Sequence, residues 1–384
     1  MAQPKRLLAL DVLRGITIAG MLLVNNPGTW SHIYTPLEHA EWEGLTPTDL
    51  VFPFFVFVMG VSMYFSLKKF NFSLNRQVFF KIVKRTVILF LIGWAVSWFA
   101  VWLRGLFNPE VDFVDRAINH LRFLGVFQRL ALVYFFGSMI AVTLKHRFVP
   151  WLIGLILVAY AIILAVGHGY DISADNIIAR IDNAVLGENH MYKEGVFEGI
   201  IAFDPEGILS TLPCIAHVLI GLMVGKLINT YHNNTERIAK IALLGFAMML
   251  GGWLLQYGIP CGKKMWSSTF VLITTGMASC LLALLIYIID VKGRNKWCRF
   301  FQSFGVNPLF CYLVGTILSI VFGAVRFGTN AAGDPVSIHS LIHDGCKAVT
   351  CSPEAASCLY AIVFVCICWL FGYILYKKKI YIKI

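Results

Sequence analysis

Apolar positions run through this chain in blocks of about twenty residues, separated by short polar connections. Blocks long enough to cross a hydrocarbon layer of about 30 Å fall near residues 7–26, 50–67, 81–103, 123–144, 148–167, 208–229, 238–256, 267–289, 303–325 and 356–376. Each continues well past the length of an ordinary buried strand, so the pattern predicts helices. The expected architecture is an all-α, polytopic integral membrane bundle of about ten transmembrane helices, with residues 1–384 forming a single domain.

Composition agrees with the pattern. Of the 384 residues, 58% are hydrophobic and only 14% charged, and the mean hydropathy is +0.73, far above that of a water-soluble domain. Lys and Arg concentrate in alternate connections, which sets orientation because cytoplasmic loops retain positive charge. One set holds Lys5 and Arg6, the run from Lys68 to Arg85, Lys145 and Arg147, Lys226 to Lys240, Lys292 to Arg299, and Lys377 to Lys383. Both termini are therefore expected in the cytoplasm. A net charge of +11 gathered beside spans is a signature of membrane insertion, so nucleic acid is not expected as a partner. Asp11 and Arg14 interrupt the first apolar block and no small-residue cleavage pattern follows it, so we read it as a retained helix and not a signal peptide. No internal repeat is visible.

Two long outer segments remain, about 27–49 and 168–207. The first carries Glu38, Glu41, Glu43 and Asp49 and no basic residue; the second has eight acidic residues against Arg180 and Lys193. Such a face suits a cationic partner such as an amine, or it simply keeps the loops solvated. Most of the ten cysteines lie within spans, where thiols pack as small apolar groups. The spacing of Cys346 and Cys351 permits a disulfide if that side is oxidising. No Cys/His cluster has zinc spacing, and no metal is expected.

Ionisable groups inside spans are costly, and each demands a partner or a function. Asp11 and Arg14 sit three apart on one helical face, either as an internal ion pair or with Arg14 free to fork a phosphate. Arg129 starts a helix in "GVFQRLALVYF" and reads as a structural pairing residue; His217, deeper in "CIAHVLIGLM", reads as a core histidine. Asn25 and Asn26 end the first helix before Pro27. An asparagine there caps exposed carbonyls or donates to a developing oxyanion. His39 follows in the adjoining loop, and Thr46 or Thr48 caps the second helix while Asp49 favours its positive end. A base and an oxyanion donor are thus expected to converge on two neighbouring helix ends, unless the histidine is simply an interfacial one. A secondary transporter built on Asp11, Arg14 and Arg129 is the rival reading, but it gives the His39 loop no task.

These stretches also carry a resemblance. "LLALDVLRGITIAGMLLVN", "HAEWEGLTPTDLVFPFFVFVMG", "GVFQRLALVYF", "LGENHMY", "FDPEGILSTLP", "DVKG" and "GYILYKKKIYIKI" occur in an order that resembles the transmembrane acyltransferases typified by heparan-α-glucosaminide N-acetyltransferase, and specifically bacterial relatives without the lumenal N-terminal domain. The resemblance implies transfer of an acetyl group from cytosolic acetyl-CoA to a glucosamine-type amine across the membrane. It implies His39 as the active histidine and Asn25 as its asparagine partner. Asp182, His190, Asp204 and Glu206 match positions of the second acidic loop and are expected to contact the sugar, with Asp49 counted among them. Arg14, Lys84 and Arg85 are the candidates for the CoA phosphates. A bacterial inner membrane and a homodimer are the expected setting. "NNPGTW" departs from the glycine-rich stretch of the lysosomal enzyme and the loops between helices 4 and 6 are shorter, so the acceptor is an amino sugar of unspecified kind.

Overall fold

The apolar blocks fold as helices almost without exception in a computed structural model, which describes residues 7–108, 112–329 and 335–382. In order these are α1 (Leu8–Val24), α2 (Val51–Lys68), α3 (Arg76–Phe107), α4 (Val126–Thr143), α5 (Val149–Val166), α6 (Ile177–Leu186), α7 (Thr211–Thr230), α8 (Asn234–Leu255), α9 (Ser268–Leu285), α10 (Cys298–Val306), α11 (Pro308–Ala324), α12 (Ile338–Val349) and α13 (Pro353–Lys377). One antiparallel hairpin, β1 (Arg326–Thr329) with β2 (Pro335–Ser337), pairs Arg326 with Ser337.

Eight helices among the described residues are long and apolar enough to cross a membrane: α2 with the turn before it, α3, α4, α5, α7, α8, α9 with its extension to Val291, and α13. This is an all-α, multi-pass membrane protein. The 17 residues of α1 reach about 26 Å, just short of a full span. The block expected as one helix over 303–325 is broken: α10 and α11 meet at 89°. Pro308 has no N–H and drives Asn307 out of helical geometry, to φ −130 and ψ 56. The Asn307 amide then binds the chain beyond α13, donating to the Ile380 carbonyl at 2.8 Å and accepting from the Ile382 N–H at 2.9 Å. Lys5, Arg6 and Lys383, counted above with the inner charge, lie outside the described residues. Cys346 is buried on α12 and Cys351 exposed beyond it, and both are free thiols.

Because successive spans alternate in direction, the basic connections gather at one end of the bundle. The His39 loop, the 168–210 segment and the 256–267 segment gather at the other. The centre of the bundle is α7, whose buried residues run from Thr211 to Ile228. By contrast α3, α5 and α8 expose apolar faces, with Trp98, Trp102, Trp151, Leu155, Phe246 and Trp253 outward; against lipid such faces carry no penalty.

Where α2 crosses α7 the backbones nearly touch. A Cβ at Gly60 would lie 2.1 Å from the Val218 carbonyl oxygen, and one at Gly221 would lie 2.2 Å from that of Phe57. Small residues let helices approach this closely in a bilayer, and the crossing fixes α2 against the segment leading into α7. Gly60→Ala should therefore lower thermal stability in detergent by about 1–3 kcal/mol or more. Gly154→Ala, on the open face of α5 with nothing within 4 Å, should stay within about 0.5 kcal/mol of the parent.

Candidate active site

The long loop between α1 and α2 is pinned beside the site. Trp42 is buried, donates from Nε1 to the Tyr170 carbonyl at 2.7 Å, and packs edge-on against Phe197 and Phe203 at 5.1 and 5.2 Å. Gly44 N–H donates to the Cys261 carbonyl at 2.7 Å. The two acidic segments and the 256–267 connection thus share a small aromatic core, and His39 rides on it.

Asp49 lies in the 3-10 turn Pro47–Leu50 that runs into α2. Its Oδ2 accepts from the backbone N–H groups of Ala40 and Thr46, both at 3.1 Å, and from Thr46 Oγ1 at 3.0 Å. That leaves Oδ1, which lies 2.6 Å from His39 Nδ1. A carboxylate can only accept, so Nδ1 carries the ring proton and the lone pair of the neutral imidazole sits on Nε2. Lys263 Nζ approaches both ring nitrogens, at 3.1 and 3.2 Å, and stands 3.8 Å from Asp49. Burial draws the Lys263 ammonium below the ordinary lysine range, while Asp49 and Glu206 pull the other way. The Asp49 side chain is 1% exposed and that of His39 35%, so a buried anion orients an accessible ring.

Beside this pair opens a cavity of about 150 Å³, lined by His39, Asp49, Glu194, Glu206, Lys263 and Trp266 among others. That is room for several waters. Both signs of charge line it, Lys264 pairing with Glu194 at 2.9 Å.

The remaining expected sugar contacts hold the scaffold. Asp204 is fully buried and receives Arg122 through both oxygens, at 2.9 and 2.5 Å, together with the Tyr192 and Glu206 N–H groups. Glu206 takes the same guanidinium at 2.6 Å. Burial acts to raise its carboxyl, but Arg122 and Arg129 outweigh it and hold the group below its usual range. His190 stacks on Phe123 at 3.9 Å with Nδ1 on the Leu121 carbonyl at 2.8 Å. Of the five expected contacts, Asp49 and Glu206 line the cavity.

Asn25 is the C-cap of α1 and exposed, and it is not among the cavity-lining residues. At the opposite end, Arg14 bonds Asp11 at 3.3 Å, Ser62 Oγ at 2.6 Å and the Gly305 carbonyl at 3.0 Å, tying α1 to α2 and α10. Lys84 is exposed on α3, and Arg85 lies over the Tyr134 ring at 4.5 Å. Lys263, Arg122 and Trp266 had no place in the sequence reading.

Asp182 on α6 is fully buried, its Oδ1 accepting from Ile208 N–H at 2.8 Å and Leu209 N–H at 3.4 Å just before α7. Burial pushes its carboxyl up to about 6, against those two bonds. The folded protein thus binds the proton more tightly than the unfolded chain, and the stabilisation is complete below about pH 4 and is lost as pH rises through 6. Asp182→Asn should remove a pH-dependent loss of about 3 kcal/mol over that interval, read as the difference between the two unfolding-versus-pH curves.

No family model matches the chain. Two curated relatives do: heparan-alpha-glucosaminide N-acetyltransferase of Mus musculus, 27% identical over 434 aligned positions, and that of Homo sapiens, 26% identical over 441. The alignments cover 99% and 100% of this chain but 60% of each relative, so the chain spans about three fifths of their length. Along nearly its whole length this membrane protein is homologous to the heparan-alpha-glucosaminide N-acetyltransferases.

Proposed function

We propose that the chain is a transmembrane N-acetyltransferase, moving the acetyl group of cytosolic acetyl-CoA to the amine of a glucosamine-type sugar on the outer side of a bacterial inner membrane. The observation that carries this reading is the 2.6 Å contact between Asp49 and His39 at the lip of the cavity. The names of the relatives supply the reaction class.

A thioester and an amine react once the amine is neutral, positioned and deprotonated during attack. With its proton fixed on Nδ1, His39 presents Nε2 as the base. The acceptor amine takes the place of Lys263 beside Nε2. As its nitrogen attacks the thioester carbon, its proton passes to His39; when the tetrahedral adduct collapses, the C–S bond breaks and the sulfur recovers that proton. Direct transfer of this kind needs no acyl-histidine. The polyanionic CoA head stays at the basic end, with Lys84 and Arg85 in place for its phosphates, and the pantetheine arm reaches toward His39 through the bundle. Glu206 and Glu194 supply acceptors for sugar hydroxyls.

In purified protein with acetyl-CoA and glucosamine, His39→Ala should lower kcat by about 10²–10⁴. Asp49→Asn should lower turnover too, because an amide that donates to Nδ1 puts the ring proton on Nε2. Full activity of His39→Ala would end the assignment. In sealed vesicles, product should form only when acetyl-CoA is on the side of the basic connections and glucosamine on the His39 side; transfer with both confined to one side would refute the sidedness.

A further inference from the structure

Arg129, the fourth residue of α4, is completely buried. Its Nη2 donates to the Gly207 carbonyl at 3.0 Å and to Ser210 Oγ. Its Nη1 and Nε have no partner among the described residues, although leaving a buried donor unpaired is costly, and more so for a charged group. The nearest carboxylates are engaged elsewhere: Glu206 and Asp204 share Arg122, and Asp182 holds the turn before α7 through Oδ1, its Oδ2 also unpartnered.

The Arg129 guanidinium lies 5.4 Å from the Trp266 ring centroid, and Trp266 lines the His39 cavity. Trp266 is 1% exposed, and its indole Nε1–H is likewise buried without a partner. Its backbone is strained, with φ at +48, a conformation rare for a bulky side chain. The surroundings hold it there. Trp266 N–H donates to the Lys263 carbonyl at 3.0 Å, Gly262 N–H to Ser267 Oγ at 3.1 Å, and Tyr160 Oη to the Met265 carbonyl at 2.6 Å. Strain that is over-determined by its neighbours points to a positional requirement. Here the requirement brings an indole beside an arginine that still has donors to give.

We propose that Arg129 and Trp266 form the oxyanion site of the acyl transfer, their unpartnered N–H groups receiving the carbonyl oxygen of the thioester behind the wall that Trp266 gives the His39 cavity. The inference rests on the acetyltransferase reading and deepens it. As the amine nitrogen bonds to the carbonyl carbon, the C=O π pair moves onto oxygen, where fixed donors in a water-poor site stabilise it. The amine proton goes to His39 Nε2; the oxyanion re-forms C=O, the C–S pair leaves on sulfur, and sulfur takes the proton from His39. Asn25, expected in this role from its place after α1, is an exposed cap of that helix.

Trp266→Phe retains most of the ring and removes the N–H, so it tests the donor with little change in packing. It should lower kcat by about 10²–10³ with little change in KM for the amine. Arg129→Lys keeps the charge but loses the guanidinium fork, and should also act mainly on kcat. A second readout uses S-acetonyl-CoA, whose ketone cannot be transferred. Its ¹³C=O stretch, by isotope-edited infrared, should shift to lower frequency on the parent protein and return toward the free value on Trp266→Phe. Parent-like turnover and an unchanged carbonyl frequency in Trp266→Phe overturn the inference, as does loss of kcat in Asn25→Ala alone. A parent protein that transfers no acetyl group overturns the acetyltransferase reading itself and this inference with it.

Discussion

The site depends on one buried carboxylate. Asp49 is shielded from solvent at the entry of α2 and spends both oxygens on neighbours within ten residues: Oδ2 on Ala40 and Thr46, Oδ1 on His39. A buried carboxylate stripped of such partners destabilises by several kcal/mol, so the loop path, the start of α2 and the orientation of the imidazole are one arrangement. The ring tautomer follows from it without any further residue. Lys263, arriving from a segment 224 residues away, ties the same arrangement to the connection before α9.

Around this pair the charges of the long loops are largely neutralised in place. Arg122 bridges Asp204 and Glu206, and Lys264 meets Glu194. The acidic surplus of the two long segments is therefore less a bare field for a cation than a set of clamps, and attraction of an amine falls to the few groups that line the cavity. The aromatic core beneath, with Trp42 wedged against Phe197 and Phe203, gives those clamps a rigid base. The intramembrane pair Asp11 and Arg14 serves the other end, where Arg14 joins three helices. That is a structural task.

Helix type was legible because apolar runs of membrane length have few other solutions; the expected count of about ten spans stands against eight helices of spanning length among the described residues, or nine with the bent α10–α11 pair. The break at Asn307 was also written in the chain, as Pro308, but an unbroken apolar count hides it; the amide of Asn307 reaching Ile380 and Ile382 is a tertiary contact that no local pattern shows. At the site, His39 was singled out in its loop, whereas Asp49 was read as an acid at a helix start and a sugar contact, and its bond to His39 emerges only in the folded turn before α2. Lys263 and Trp266 were not legible, because their relevance arises only when the α8–α9 connection folds over the first loop. Asp182, His190 and Asp204 show the opposite case: polar residues in a matching loop, whose bonds to Ile208, Leu121 and Arg122 build the support under the cavity.

The central claim is that Asp49 fixes His39 with its proton on Nδ1 and its lone pair on Nε2. Nitrogen-15 NMR of the detergent-solubilised protein, with histidine ring labels assigned through His39→Gln and spectra taken where the ring is neutral, reads this directly. The account predicts a protonated, strongly hydrogen-bonded Nδ1 in the parent and its loss in Asp49→Asn. An Nε2-protonated ring in the parent would contradict it.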